Sequence, residues 1–348
     1  MIKQELSYLL QGYAQKITKK KPIEITLFVT NKCNANCIHC FYYNKLNNKK
    51  EKELSLDEFK KISSNIDSFS KLLVSGGEPF LREDLVEICK TFHINNKVKE
   101  IRIPTNGYFT KKIYDSVKEI VKECPDLKLV IQLSIDGLRS EHDKIRNLNN
   151  SFNNLIQTYY ELKKIKNKEK NIDITFCFTL SKLNHKNTKK VYDFVLKKLN
   201  HDKIGTILIR NDVKDQDIKH FDLSDYSKNY YKKDNKWSVN NIIFRRLILK
   251  SLRSKKRIFP CNAGTLNAVI TETGKVYACE FKNHLFDLRE VNYNFKKEWN
   301  SKRSKQVRNK ISKKKCYCTD ETIMANNIRF SFKGNFLALK ELMSKTSK

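Results

Sequence analysis

Asn31-Lys32-Cys33-Asn34-Ala35-Asn36-Cys37-Ile38-His39-Cys40-Phe41 sets three cysteines at the spacing CxxxCxxC. Three thiolates this close together wrap one small inorganic centre but do not close a four-cornered iron–sulfur cubane, so a fourth iron would keep an open coordination position. An open iron implies a ligand, and with it chemistry. On spacing alone a zinc site that borrows a fourth ligand, with His39 as a near donor, stays open as an alternative, although zinc ligands usually come as two CxxC-like pairs. The residues ahead, Ile23 to Val29, form an apolar, β-rich run. The cysteines are therefore expected to leave the C-terminal end of a strand.

Working outward, strand and helix patterns alternate. Ser55 with Glu58 makes a capping box that opens a helix to about Ile66, with Leu56, Phe59 and Ile62 as its buried stripe. Short apolar runs at Leu72–Val74, Ile101–Ile103, Leu129–Ile135, Ile172–Leu180 and Ile204–Ile209 read as strands. Helical periodicity fills the intervals near 85–92, 111–122, 152–165 and 188–199. Six strand–helix units imply parallel pairing with right-handed crossovers, an α/β fold built as a partial (β/α)6 TIM-like barrel. Functional groups then belong at the strand C-termini.

A chain of 348 residues exceeds the roughly 250 to 300 residues at which single cores stop growing, so a second, smaller unit is expected. The expected divisions are an N-terminal helical extension over 1–22, the barrel over 23–210, a connecting segment and helix over 211–254, and a small cysteine-bearing domain over 255–348. The extension is an amphipathic helix with Leu6, Leu9, Leu10 and Tyr13 on one stripe, serving as packing or as a lid. In the connector, Tyr226, Tyr230, Tyr231 and Trp237 suggest packing over the barrel mouth. No apolar run reaches the length of a membrane span and no secretory signal is evident, so no membrane partner and a cytoplasmic location are expected. Ten cysteines in that reducing compartment point to metal ligation rather than to disulfides. The net charge of +32 admits a nucleic-acid partner, but the lysines are spread through every segment, so nucleic acid is not the favoured partner.

The strand ends carry further motifs. Ser75-Gly76-Gly77-Glu78-Pro79 follows the second strand, Pro104-Thr105-Asn106-Gly107 the third, and Ser134-Ile135-Asp136-Gly137 with His142-Asp143-Lys144-Ile145-Arg146 the fourth. Two glycines before a rigid Glu-Pro allow close backbone approach to a ligand, and a guanidinium holds a carboxylate through paired hydrogen bonds. Together with CxxxCxxC, these motifs resemble those of the radical S-adenosylmethionine enzymes, in particular the subgroup with auxiliary clusters. The resemblance implies that Cys33, Cys37 and Cys40 hold a [4Fe-4S] cluster whose open iron is chelated by S-adenosylmethionine, which is reductively cleaved to a radical that abstracts hydrogen from substrate. It also implies that Gly76, Gly77, Glu78 and Pro79 approach the methionine amino group, that Asn106 shapes the floor, that Ser134 and Arg146 contact the ribose and carboxylate, and that His39 lies against the adenine. Reduced flavodoxin or ferredoxin is the implied electron donor.

Further on, Cys261, Cys279, Cys316 and Cys318 supply four more thiols, enough to close a cluster completely. The order Cys261-Asn262-Ala263-Gly264 and Gly274-Lys275-Val276-Tyr277-Ala278-Cys279-Glu280 resembles the start of a SPASM domain, and the lack of a later cysteine run resembles the shorter twitch form. That implies an auxiliary [4Fe-4S] cluster, with zinc as the alternative for a four-cysteine set. Cys89, Cys124 and Cys177 read as core thiols. Asp136, Glu280 and Tyr277 are candidate bases by position, and no catalytic residue is assigned. The resulting expectation is an enzyme acting on a peptide or small molecule. The alternatives are an RNA-modifying relative and a non-catalytic iron–sulfur redox or nucleic-acid-binding protein. Residues 1–22 are too few for a fused leader-recognition domain, so a peptide substrate would need another docking route.

Overall fold

The computed structural model describes residues 2–210, 212–227, 236–280, 282–313, 316–318 and 320–346. Tyr230 and Tyr231 lie outside them, as does the side chain of Trp237.

Strands β1 (Glu24–Thr30), β2 (Lys71–Gly76), β3 (Glu100–Thr105), β4 (Lys128–Ser134), β5 (Ile172–Leu180) and β6 (Ile204–Leu208) pair in sequence order, all parallel. Helix α1 (Ile2–Thr18) precedes them. The crossovers are α2 (Leu56–Ser64), α3 (Leu85–Asn96), α4 (Thr110–Glu123), the pair α5 (Ser140–Arg146) and α6 (Ser151–Lys168), and α7 (Thr188–Asp193), which runs on as a π-helical turn to Lys198. The expected (β/α)6 order is therefore present. Its core is continuous: Ile25, Leu27, Val74, Ile101, Ile131 and Phe178 from five strands are fully or almost fully buried with Phe59, Phe92, Val117 and Leu155 from the helices. The Ser55 capping box also forms, with Ser55 Oγ accepting the Glu58 N–H at 3.3 Å and Glu58 Oε2 accepting the Ser55 N–H at 2.8 Å.

The C-terminal strands extend this sheet. β7 (Asn267–Ile270) pairs parallel with β1, from Glu24 opposite Asn267 to Leu27 opposite Ile270. β8 (Lys275–Cys279) and β9 (Lys282–Asp287) follow antiparallel, so among the described residues one sheet runs β6-β5-β4-β3-β2-β1-β7-β8-β9. The β1 edge, which would otherwise expose a row of unpaired backbone groups, is thereby covered. Helices α8 (Lys236–Ser254), α9 (Phe295–Trp299), α10 (Lys302–Lys313), α11 (Glu321–Arg329) and α12 (Phe332–Thr346) complete the chain. Between α9 and α10 the chain breaks at Asn300 and Ser301, where Ser301 Oγ accepts the Ser304 N–H at 3.3 Å and so caps a new helix.

Helix α1 forms, but its buried face is not the expected leucine stripe. Tyr8, Leu9 and Tyr13 pack on Phe330, the two tyrosine rings edge-on at 5.6 Å, while Leu6 and Leu10 are exposed. The reason is polar as well as apolar: Tyr8 donates to Asn326 Oδ1 at 2.9 Å and Lys16 to the Phe330 carbonyl at 2.6 Å, which fixes the rotation of the helix.

Candidate metal and cofactor site

The first cysteine loop leaves β1 at its C-terminal end and is fastened on several sides. Glu53 Oε1 accepts the Asn31 N–H at 2.7 Å and the Thr30 hydroxyl at 2.8 Å. Asn47 exchanges hydrogen bonds with the Cys33 backbone, at 3.0 and 3.1 Å. From α5, the Ile145 carbonyl accepts the Ile38 N–H at 2.9 Å. Such over-determination suits a segment without regular structure of its own, whose backbone groups must find partners elsewhere.

The Gly-Gly-Glu turn after β2 docks backbone to backbone on the same loop. Gly77 N–H donates to Thr30 O and Glu78 N–H to Lys32 O, both at 2.8 Å. A Cβ at Gly76 would lie 2.2 Å from Thr30 O, and one at Gly77 2.2 Å from Lys32 O. Side chains are excluded there by the cysteine loop itself, and Gly76 also has φ of +137°. The buried Glu78 carboxylate accepts from Thr105 Oγ1 and the Asn106 N–H at 2.8 Å and from the Phe80 N–H at 3.2 Å, tying the end of β2 to that of β3. Pro79 opens the short turn that follows. Asn106 reaches back, its Nδ2 donating to Asn34 Oδ1 at 2.8 Å inside the cysteine loop. These residues therefore shape the loop from beneath.

Across the loop lies a buried charge cluster. Asp136, fully buried, accepts from Arg146 Nε at 2.7 Å and Nη2 at 2.6 Å, and from the Thr179 N–H at 2.9 Å. Burial opposes its ionisation, but Arg146 foremost, with His39 and His142, holds the carboxyl down at about 2. The charge of Arg146 also reaches the Cys37 thiol and partly offsets the rise that burial causes. His142 accepts the Asp136 N–H on Nδ1 at 3.1 Å, so its Nε2 carries the proton and donates to Ser151 Oγ at 3.2 Å. His39 turns Nε2 towards Asp136 at 3.7 Å, and burial keeps it neutral by lowering its pKa. Its Nδ1, like Asn34 Nδ2, is buried without a hydrogen-bond partner among the described residues. Ser134 ends β4 opposite Cys177.

The three thiols sense one another's charge, and burial pushes Cys33 up to about 12, Cys40 up to about 11, and Cys37 upward as well. Desolvated thiols of this kind stay protonated when free and lose their protons to solution when a metal binds their sulfurs. The donor set and the two unsatisfied polar atoms beside it thus fit a thiolate-held cluster with an organic ligand. Among the described residues no three His, Cys, Asp or Glu side chains draw together tightly enough for a single ion. A multi-iron cluster, whose cysteines sit on separate irons, does not ask that of them.

The second cysteine set gathers beyond β7. Cys279 ends β8, and the register of β8 on β7 places it beside Asn267, level with the first residue of β1. The two sets thus leave the shared sheet at opposite strand ends. Cys261 is close enough to Cys316 and to Cys279 for their charges to interact, and Cys318 to Cys261 and Cys279. Three of these cysteines, with Arg257, Phe259, Met324 and Asn327, line a small pocket. Four neighbouring thiols fit a closed four-cysteine centre.

Between the sets stands Arg210, just beyond β6. Its guanidinium lies 5.1 Å over the Phe41 ring, next to Cys40, and donates from Nη2 to Glu280 Oε1 at 2.7 Å, next to Cys279. Nothing in the sequence signals this bridge, because Arg210 follows a strand with no motif around it. Of the connector aromatics, Tyr226 is fully buried and bonds Glu321. Tyr277 is half-buried against His284. Cys89, Cys124 and Cys177 are buried, as expected of core thiols.

Residues 27–195 match the Radical SAM superfamily. The Fe-coproporphyrin III synthase of Methanosarcina barkeri is 30% identical over 168 residues, 47% of this chain and 38% of the synthase. The GTP 3',8-cyclase of Lactiplantibacillus plantarum is 33% identical over 98 residues, 27% of this chain and 30% of the cyclase. The matches thus span less than half the length of these relatives. In fold, anSMEcpe solved with bound AdoMet superposes with a TM-score of 0.59 at 16% identity, over 92% of this chain and 98% of that one. Streptococcus suis SuiB superposes with a TM-score of 0.56 at 16% identity, over 84% and 69%. No described helix is long and apolar enough to cross a membrane. The three-cysteine loop lies within the match over residues 27–195, just under half of the chain, and in this part the chain is similar to the radical SAM superfamily.

Proposed function

We propose that the protein is a radical SAM enzyme in which Cys33, Cys37 and Cys40 hold a [4Fe-4S] cluster and S-adenosylmethionine binds beside it. The observation that carries this reading is the fastening of one cysteine loop by the Gly-Gly-Glu turn, Asn106 and α5 at once. The bound pair supplies one-electron cleavage of the sulfonium and a hydrogen-abstracting radical. The chain's own residues bind and orient. Gly76 and Gly77 seat the turn closely against the cysteine loop, so that its backbone lies where the cofactor's amino group would approach. Arg146, oriented by Asp136, offers positive charge to its carboxylate, and Ser134 offers a hydroxyl to the ribose. His39 and Asn34 present buried polar atoms that a ligand would satisfy.

Cys261, Cys279, Cys316 and Cys318 would hold an auxiliary [4Fe-4S] cluster, which would supply a one-electron acceptor for a net oxidation or cross-link. A peptide is the favoured substrate over a small molecule. Its support is the fold likeness to anSMEcpe, solved with a Cp18Cys peptide at a TM-score of 0.58, and to SuiB, solved with precursor peptide SuiA at 0.57. Arg210 and Glu280 then line the space between the two centres. A reduced flavodoxin or ferredoxin is the fitting donor, and residues 255–348 act as the auxiliary domain although their strands share the barrel's sheet. Iron counting tests the two-centre reading. Anaerobic reconstitution should yield about eight irons per chain, falling to about four when Cys33, Cys37 and Cys40 are all replaced by alanine. A count that the triple replacement leaves unchanged would refute the assignment of the first cluster.

A further inference from the structure

Among the described residues three of the four thiols of the second set accept a hydrogen bond, and the donors differ in charge. Burial pushes the Cys261 thiol up, and the nearby Ala263 backbone and Asn327 partly offset this. Asn283 Nδ2 donates to Cys279 Sγ at 3.2 Å, and the Asp320 N–H to Cys318 Sγ at 3.3 Å. Arg257 Nη2 donates to Cys316 Sγ at 2.9 Å. Among the described residues Arg257 is the one cationic donor on these sulfurs. Its guanidinium is held in place by the chain: Nη1 donates to Ile311 O at 2.8 Å and to Ser312 O at 3.2 Å in the last turn of α10, and Nε to Cys316 O at 3.4 Å. A cation there also meets the negative end of the helix. Cys316 is the exposed member of the set, the other three being partly buried.

We infer that Arg257 sets the reduction potential of the auxiliary cluster through its charged hydrogen bond to Cys316. This inference rests on the auxiliary cluster assigned above. A four-cysteine cluster gains a unit of negative charge on reduction, and hydrogen bonds to its sulfurs and nearby positive charge favour that reduced form. Cys316, the thiolate open to water, is also where bulk solvent would most weaken a neutral donor's effect. A guanidinium fixed by backbone carbonyls supplies a charge that does not rearrange with solvent. The cluster is thereby kept a better electron acceptor than its four thiolates alone would make it, which suits a centre that receives an electron from a substrate radical. Arg257 is accordingly a positioning and tuning residue, not one that touches substrate.

The test uses the chain in which Cys33, Cys37 and Cys40 are alanine, so that the auxiliary cluster is the sole paramagnet. Its midpoint is read by electron paramagnetic resonance during a potentiometric titration. Arg257→Gln should lower the ratio of reduced to oxidised cluster at a fixed poise about tenfold, equivalent to about 59 mV for one electron, while Arg257→Lys, which keeps the charge, should move it far less. Equal shifts for the two variants, or none with the cluster filled, would overturn the inference. Should Arg257→Gln fail to hold iron, 15N-arginine labelling of the chain with Arg257 intact decides the matter. Electron–nuclear double resonance should then show a nitrogen coupling that Arg257→Lys abolishes, and its absence would refute the contact. Zinc or no metal at the second set would instead contradict the cluster assignment, and the iron count reads that separately.

Discussion

The carboxylate of Asp136 and the guanidinium of Arg146 form a buried two-pronged ion pair, Nε at 2.7 Å and Nη2 at 2.6 Å, beneath the first cysteine loop. The pair joins the end of β4 to α5, and α5 in turn holds the loop through the Ile145 and Arg146 carbonyls. Removing one partner strands the other charge in a dry setting. Asp136→Asn should therefore cost about 3–5 kcal/mol, measured by urea unfolding of the metal-free chain. A loss below about 1 kcal/mol would show that the pair is not holding the loop.

His142 makes the same region acid-sensitive. Burial, with Arg146 nearby, depresses its pKa to about 3, so it is neutral in the fold. Unfolded, it takes up a proton below about 6.5. Its contribution is fully present above that value and is lost as pH falls towards 3. Between pH 7 and pH 5 it should account for about 2 kcal/mol of lost stability. His39, also depressed by burial, adds to the slope in the same direction. Unfolding curves at the two pH values, for wild type and His142→Gln, measure the term as the difference between their pH slopes. An unchanged slope in the variant would contradict a buried neutral imidazole.

Gly77 separates loop placement from overall folding. A Cβ there meets Lys32 O at 2.2 Å, so Gly77→Ala should push the cysteine loop away from β2 at a cost of about 1–3 kcal/mol. The variant should lose about four of its irons, those of the first set, while the second set stays filled. Retention of both sets would mean the loop tolerates the shift.

The Arg210 bridge predicts coupling between the two cysteine regions. A double-mutant cycle of Arg210→Met and Glu280→Gln should give an interaction of about 1–3 kcal/mol, since the pair is largely buried. An interaction near zero would make the bridge incidental.

The parallel barrel was legible because each of its units announces itself locally. Alternating apolar runs, the Ser55–Glu58 box and glycines at strand ends all act over a few residues, and the structure returns them within a residue or two in most cases. What was illegible is non-local. Nothing in Asn267–Ile270 says that it pairs with β1 rather than standing in a separate sheet, because a short apolar strand fits any open edge. Helices α11 and α12 lacked a reading for the same reason. The face of α1 went wrong because Leu6 and Leu10 share a stripe with Tyr13, whereas the tyrosine and lysine hydrogen bonds that set the helix rotation depend on Asn326 and Phe330, more than three hundred residues away. In the site, cysteine spacing named the thiols. The structural part played by Glu78 and the bridge made by Arg210 depend on which strand ends meet, and spacing does not carry that.

Radical chemistry at the first cysteine set leaves a product that can be measured directly. Reconstituted protein is reduced with dithionite in the presence of S-adenosylmethionine, and 5′-deoxyadenosine is measured by chromatography. The nucleoside should form with wild type and be absent when Cys33, Cys37 or Cys40 is replaced by alanine. No nucleoside from wild-type protein whose first cluster is filled and reduced would contradict it.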